Sequence, residues 1–328
     1  MPCGLKNADL PDKRKTPKVS YEFTKQKRAP LRKFPIPDDY ILTQLGKISQ
    51  QNIEQTILNL TSFHNRHTKS DNINKSADWI LGELRKASND HDSTYFHEYE
   101  EEGFRLKNVV YNKQGLNNKT IIFCAHYDTI LYPDVNDISS KAPGANDNAS
   151  GVSILLEISR IISTLSFENT IRFVFFSGEE QGFWGSENYA NHLKEQNEEI
   201  HSVINLDMCG EPGFLTTKLT TNIDIDDGTT GVTDENNDKS IVLGRRMEQM
   251  ALNYTDLKVE YDPIAFSDYM PFEALGYVCI GAYDGSAVDS NDHYHAEADT
   301  TDNLVMNFIS LVTKMILAFL IDQAKHQN

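Results

Sequence analysis

The sequence of 328 residues has few cysteines, a deficit of positive charge and no apolar segment near its start. Its four cysteines show neither close spacing nor a disulfide framework. Thirty-one Lys and Arg against 48 Asp and Glu give a net charge of −17, which argues against nucleic acid or an anionic membrane as partner. The first thirty residues contain no apolar core of a secretory signal. These features indicate a soluble, acidic protein.

Long hydrophobic runs are equally scarce. The late apolar segment 304–321 is interrupted by Asn307 and Lys314 and has helical periodicity, so we predict a packed C-terminal helix and no membrane span. Residues 1–35 hold ten Lys or Arg against three acidic residues, which predicts a basic, extended N-terminal arm. With 39% hydrophobic residues, the remaining residues 36–328 can bury one large core, and we expect a single domain.

The apolar periodicity of this domain alternates between strands and helices. Residues 38–90 have helical spacing, and residues 216–239 are acidic enough to predict a solvated loop. Strands are predicted at about 93–98, 107–112, 120–125, 170–176, 202–206, 258–261 and 277–282. Helices are predicted after Asp147, at 184–195, 241–251 and 269–274, and at the C-terminus. This order predicts an α/β fold, a three-layer α/β/α sandwich with a mixed central sheet.

The most informative segment is A-P-G-A-N-D-N-A-S-G-V, residues 142–152. It places Asp147 among small residues directly before an apolar helix. Asp and Asn cap ordinary helices, so this segment alone is weak evidence. A carboxylate on a tight turn with little bulk around it is nevertheless well placed to bridge two metal ions.

Two strand ends supply further candidates. His126 and Asp128 close an apolar run, and because residues two apart on a strand point the same way, Asp128 can support the second nitrogen of a ligating His126. Glu179 and Glu180 follow another apolar run and Gly178. Adjacent side chains diverge, so one can bind metal while the other acts as general base. An isolated H-x-D would more often be two polar residues that end a buried strand, and an isolated E-E pair would more often be a solvated acidic turn.

Two more segments complete a possible metal site. Asp207 ends the apolar segment H-S-V-I-N-L, and a late polar loop offers His293 and His295. His126, Asp147, Glu180, Asp207 and one late histidine make two nitrogens and three carboxylates, a donor set that suits zinc. The pattern predicts a hydrolytic site with two metal ions.

The chain resembles the co-catalytic, di-zinc aminopeptidases, the twenty-eighth family of metallopeptidases, which are related to glutaminyl cyclases. The family's motifs are H-x-D, G-A-x-D-N-A-S-G, E-E-x-G-x-x-G-S, L-D-M, S-D-x-x-x-F and Y-H-x-x-x-D-T. Six ordered blocks are far more specific than any single motif. They lie here at 126–128, 144–151, 179–186, 206–208, 267–272 and 294–300.

The resemblance implies a role for each matched residue. Asp147 would bridge two zinc ions, with His126 and Asp207 completing one site and Glu180 and His295 the other. His295, rather than His293, stands four residues before Asp299-Thr300, as in the family. The remaining roles implied are Glu179 as general base, Asp128 as the support of His126, Tyr294 as an oxyanion donor and Asp268 as an outer support or a loop cap.

The resemblance also implies what the protein does. The leading hypothesis is an aminopeptidase that removes the N-terminal residue of peptides with two zinc ions per chain, and we expect a monomer. The alternative is a glutaminyl-peptide cyclotransferase using one zinc, whose members tend to carry an insertion that the uninterrupted segment 180–186 lacks. A non-catalytic module of the same fold would have lost ligands, which are all present here. Many relatives act outside the cytoplasm, whereas the lack of a signal sequence leaves a cytoplasmic location as the alternative.

Overall fold

The computed structural model describes residues 37–89, 92–212, 219–229, 235–285 and 291–325, with Leu31, Lys33 and Thr233 as isolated positions. Apart from Leu31 and Lys33, the predicted arm 1–35 lies outside the described residues. Within the described ranges, eight strands form one sheet. They are β1 (Asp92–Glu101), β2 (Phe104–Lys113), β3 (Thr120–His126), β4 (Thr170–Phe176), β5 (Ile200–Leu206), β6 (Thr220–Ile225), β7 (Lys258–Pro263) and β8 (Cys279–Tyr283).

The sheet is mixed, with the strand order β1-β2-β4-β3-β5-β8-β6-β7. Its centre is parallel, because β3 pairs in parallel with both β4 and β5, and β5 pairs in parallel with β8. The pairs β1/β2, β2/β4 and β6/β8 are antiparallel. Strands β3 and β4 are buried along their whole length, as parallel strands covered on both faces are. The predicted α/β fold with a mixed central sheet is confirmed.

Helices cover the two faces of the sheet. They are α1 (Asp39–Leu45), α2 (Gln50–Thr61), α3 (Asn72–Ala87), α4 (Gly151–Ile162), α5 (Trp184–Glu195), α6 (Asn237–Tyr254), α7 (Met270–Ala274) and α8 (Met306–Ala324). One cluster of buried apolar side chains joins α2, α3, α4 and α8 to one face of the sheet, and a second joins α5 and α7 to the other face. Alternate side chains of the central strands β3 and β4 therefore enter different cores, as in a three-layer sandwich.

The C-terminal helix α8 packs where the sequence predicted it. Its apolar side chains, including Phe319, are buried against Phe123 of the central strand β3, with ring centroids 6.4 Å apart. By length and composition α8 is the one helix among the described residues that could cross a membrane, and most of its residues are buried in the core.

The prediction of a solvated loop over 216–239 is wrong for much of its length. Thr220–Ile225 form strand β6 between β7 and β8, and helix α6 already begins at Asn237. Alternation places Thr221, Ile223 and Ile225 in the interior. Asp224 made the segment look solvent-exposed, but its carboxylate accepts a hydrogen bond from the Tyr269 hydroxyl at 2.9 Å. Residues 213–218, 230–232 and 234 lie outside the described part.

The four parallel strands of the centre determine where the candidate site lies. Because β3, β4, β5 and β8 run the same way, their carboxyl ends lie at one edge of the sheet. His126 is the last residue of β3, Glu179 follows β4 by three residues, Asp207 directly follows β5, and Asp284 directly follows β8. Open α/β sheets place their ligand sites at this edge.

Candidate metal centre

Asp147 lies at the middle of the five predicted ligands. Its Oδ1 atom is 3.1 Å from Nε2 of His126, and its Oδ2 atom is 3.1 Å from Nε2 of His295. His126 Nε2 also lies 3.2 Å from Oδ1 of Asp207, and His295 Nε2 lies 2.9 Å from Oε2 of Glu180. We call His126 with Asp207 the His126 half, and His295 with Glu180 the His295 half. Asp147 presents one oxygen to each half.

These distances fit a metal centre. Two ligands bonded to one zinc ion at about 2.0–2.1 Å in a tetrahedral arrangement lie roughly 3.3 Å apart. The nitrogen–oxygen distances of both halves, 2.9–3.2 Å, are close to that value. Oxygen and nitrogen atoms of His126, Asp147 and Glu180 also lie within 4.8 Å of one another. The donor set and its spacing therefore fit two divalent cations sharing Asp147.

The buried carboxylates of the centre favour positive charge close to them. The two imidazoles lower the pKa of Asp147 below its usual range despite burial, whereas burial raises the pKa of Glu180. Burial disfavours a protonated His126, yet the charges of Asp207 and Glu179 outweigh burial and raise its pKa well above the usual value. Burial also lowers the pKa of His295, but the opposing effect of nearby carboxylates, chiefly the charge of Glu180, is larger and raises this pKa to about 9. The carboxylates of the centre therefore favour positive charge at the two imidazoles, which is the charge that metal cations would supply.

Asp128 connects three parts of the centre. Its Oδ1 atom lies 3.5 Å from Nδ1 of His126, on the side of the ring away from Asp147. Its two oxygens also accept hydrogen bonds from the backbone amides of Glu179 and Glu180, each at 3.2 Å. One buried carboxylate therefore supports the ring of His126 and the turn that carries both glutamates.

Asp299 performs a similar task for Asp147. It accepts hydrogen bonds from the backbone amides of Asn146 at 2.7 Å and of Asp147 at 3.0 Å. Burial raises its pKa to about 7. This role of Asp299 was not predicted, although its position in the Y-H-x-x-x-D-T motif was a sequence signal that could have revealed it.

Arg66 is a supporting residue that the sequence analysis missed. It lies between α2 and α3, in a stretch that was wrongly included in the predicted helical segment 38–90. The side chain is fully buried, and burial lowers its pKa to about 10. Its guanidinium donates to the carbonyls of Leu60, Tyr127, Pro143 and Gly144 at 2.5–3.1 Å. It thereby ties the end of β3 to the loop before Asp147.

Replacing Arg66 with Met is expected to destabilise the protein by at least about 3 kcal/mol, because four carbonyls in the interior each lose a hydrogen bond from the guanidinium. The measurement is chemical denaturation of the metal-free protein, which separates folding from metal binding. Arg105→Met is the matched control, since Arg105 is exposed on β2 and its loss should change stability by no more than about 0.5 kcal/mol. Equal stability of the two variants would contradict the structural role of Arg66.

The late loop brings its two histidines to different partners. The ring of Tyr294 stacks on the ring of His295, with centroids 3.7 Å apart. His293 is not an exposed loop residue. It is half-buried, and its Nδ1 atom lies 3.1 Å from the carboxylate of the buried Glu211. Asp268 is fully buried, and burial raises its pKa to about 7.

Comparisons with known proteins show the family to which the chain belongs. The model of Peptidase family M28 matches residues 108–320, about two thirds of the chain and the whole region that carries the site. The chain belongs to peptidase family M28. A probable zinc metalloprotease of Pyrenophora teres f. teres is 33% identical over 192 residues, covering 53% of this chain and 40% of that protein. A probable leucine aminopeptidase of Arthroderma otae is 24% identical over 294 residues, covering 87% and 75%.

Solved structures of other proteins share the fold of this M28 chain. The Legionella pneumophila LapA aminopeptidase has a TM-score of 0.75 at 22% identity, over 93% of this chain and 80% of that one. The Porphyromonas gingivalis glutaminyl cyclase has a TM-score of 0.66 at 19% identity, over 84% and 99%. At these identities the likeness concerns the fold alone. This chain spans less than half the length of the zinc metalloproteases that it matches with 33% identity.

Proposed function

We propose that this M28 chain is a zinc-dependent aminopeptidase that hydrolyses the N-terminal residue of peptides. The observation that supports it most is the position of Asp147, which presents one carboxylate oxygen to each of two imidazole–carboxylate pairs. A cyclotransferase with one zinc would need only one such pair. The names of relatives, zinc metalloprotease and leucine aminopeptidase, support the same reaction class.

In this proposal, His126 and Asp207 hold one zinc ion, Glu180 and His295 hold the other, and Asp147 is shared. Zinc, when bound, would lower the pKa of a water molecule and polarise the carbonyl of the substrate. The chain's own contribution to that chemistry is to hold the ring of His126 and the turn that carries Asp147 in place. Asp128 and Asp299 do so through contacts with the His126 ring and the backbone of Asp147.

Glu179 is the proposed acid–base group. It is 3% exposed, and its carboxylate raises the pKa of His126, so its charge lies close to the His126 half. Glu179 accepts the proton of the attacking water and then passes it to the leaving amine. The Tyr294 hydroxyl donates a hydrogen bond to the oxyanion that forms on the substrate carbonyl. Tyr294 is positioned for this by its stacking on His295.

Metal analysis combined with a substrate panel tests the proposal. Purified protein is expected to hold about two zinc ions per chain and to release amino acids from aminoacyl chromogenic substrates. Chelation should remove both the metal and the activity, and added zinc should restore them. A metal content near one ion per chain, with cyclisation of N-terminal glutamine and no peptide hydrolysis, would instead support the cyclotransferase hypothesis. Glutaminyl cyclase is the name of one of the solved structures with this fold.

A further inference from the structure

The two candidate histidine ligands are held in different ways. A ligating histidine usually donates its second ring nitrogen to a carboxylate, carbonyl or water, which fixes the plane of the ring. His126 has the Asp128 carboxylate beside its Nδ1 atom. Neither Nδ1 atom has a hydrogen-bond partner among the residues that the structure describes, and the Asp128 carboxylate lies 3.5 Å from that of His126. The contacts that the structure shows on the ring of His295 are of another kind.

Aromatic rings provide those contacts. Tyr294 stacks on the His295 ring with an interplanar angle of 23°, and Tyr132 meets the ring in a T-shaped arrangement with centroids 4.5 Å apart and an angle of 68°. The rings of Tyr132 and Tyr294 are themselves 6.0 Å apart at 72°. Such edge and stacked geometries are favourable for aromatic pairs. Tyr294 is the chain neighbour of His295, whereas Tyr132 belongs to a separate segment and so relates the imidazole to another part of the fold.

Tyr132 also holds the backbone of His295. Its amide donates a hydrogen bond to the His295 carbonyl at 2.8 Å. His295 has a φ of 50°, in the left-handed region that residues other than glycine seldom adopt. The hydrogen bond from Tyr132 fixes the carbonyl of this residue. Ring and backbone of His295 are thus held by one residue.

The segment that carries Tyr132 is itself anchored. Tyr132 follows His126 by six residues and belongs to the connection between β3 and the Asp147 turn. The Asn65 side chain donates to the carbonyls of Ile138 at 2.9 Å and Ser140 at 3.2 Å in this connection. His67 contacts the carbonyl of Val135 at 2.9 Å. Tyr132 therefore sits on a connection that is tied to the segment around Arg66 and not only to the late loop.

We propose that Tyr132 is a positioning residue for His295. Its ring, together with that of Tyr294, keeps the imidazole plane oriented so that Nε2 faces Asp147 and Glu180, in place of the hydrogen bond that usually orients a ligating histidine. The inference rests on the proposed metal-binding role of His295. It predicts that loss of the Tyr132 ring weakens metal binding in the His295 half and leaves the His126 half unchanged.

The test is zinc titration of metal-free protein in competition with a chromophoric chelator, which requires no substrate. Tyr132→Leu is expected to weaken one of the two zinc sites by about ten- to hundred-fold, the range found when outer support of a ligand is lost. Tyr132→Phe keeps the ring and should bind both ions within about two-fold of the parent. Both variants retain the backbone amide, so their difference isolates the ring. Tyr95→Leu, at a 41% exposed tyrosine on β1, is the control for a generic Tyr→Leu effect.

Three outcomes would overturn the inference: two unchanged zinc sites in Tyr132→Leu, equal weakening of both sites, or the same loss in Tyr132→Phe. If Tyr132→Leu does not fold, Tyr132→Met offers a long apolar side chain without a ring and answers the same question. His295→Ala separates this inference from the proposed function. If His295→Ala loses one zinc site and Tyr132→Leu loses none, only the positioning role fails. If His295→Ala keeps both, the proposed metal site fails.

Discussion

Glu179→Gln is expected to retain both zinc ions while kcat falls by about 10²–10⁴, the loss typical of a missing acid–base group. The amide has nearly the same shape as the carboxylate but cannot accept the proton of the attacking water. The turn should survive, because Asp128 holds it through the backbone amide of residue 179 and not through the side chain. Metal analysis and steady-state kinetics on the same preparation measure both effects.

Glu180→Gln is the matched control, since it makes the same chemical change at the adjacent residue. The Glu180 carboxylate faces the His295 imidazole at 2.9 Å, so its neutralisation is expected to weaken zinc binding in the His295 half. The two variants should therefore differ in kind, one losing turnover and the other losing metal. Loss of zinc in Glu179→Gln with turnover retained would mean that the two glutamates have exchanged roles.

His295→Ala is expected to lower zinc affinity by ten- to hundred-fold or more, because it removes a ligand from one half of the centre. His293→Ala should leave the metal content intact. The physical reason is the partner of each ring, since Nε2 of His295 faces Asp147 and Glu180, whereas Nδ1 of His293 faces Glu211. Zinc titration of both metal-free variants measures the difference.

The comparison is sharp because the two histidines are two residues apart on one loop. A general disturbance of the loop would affect both variants, so only a difference between them supports the assignment. Thermal unfolding of the metal-free variants shows whether His293→Ala loses stability through its contact with Glu211. Zinc loss in His293→Ala with none in His295→Ala would transfer the ligand role to His293.

Much of the sheet could be predicted from the sequence, and the exception has a clear cause. Each of the seven predicted strands overlaps an observed strand, because short apolar runs bounded by turns carry a strong local signal. Strand β6 was missed because Asp224 and its acidic neighbours resemble a solvated loop. Only the fold supplies Tyr269, whose hydroxyl contacts the Asp224 carboxylate in the interior. A strand whose polar residues are satisfied by distant partners cannot be recognised from its own residues.

The sequence by itself determined the α/β fold, the family and the five residues proposed as ligands, because each proposed ligand occurs in a short motif beside an apolar segment. Parallel strands bring such motifs to one edge of a sheet whatever lies between them. Apart from the predicted support of His126 by Asp128, only the tertiary structure decided how these residues are supported. Asp299 reaches the backbone of Asp147 across 152 positions, and Arg66 reaches the carbonyl of Gly144 across 78. Tyr132 contacts the ring of His295 although the two residues are 163 positions apart in the chain. Except for Asp299, which lies in a motif, the residues that make these contacts show no local pattern, because the contacts depend on packing between elements that are distant in the chain.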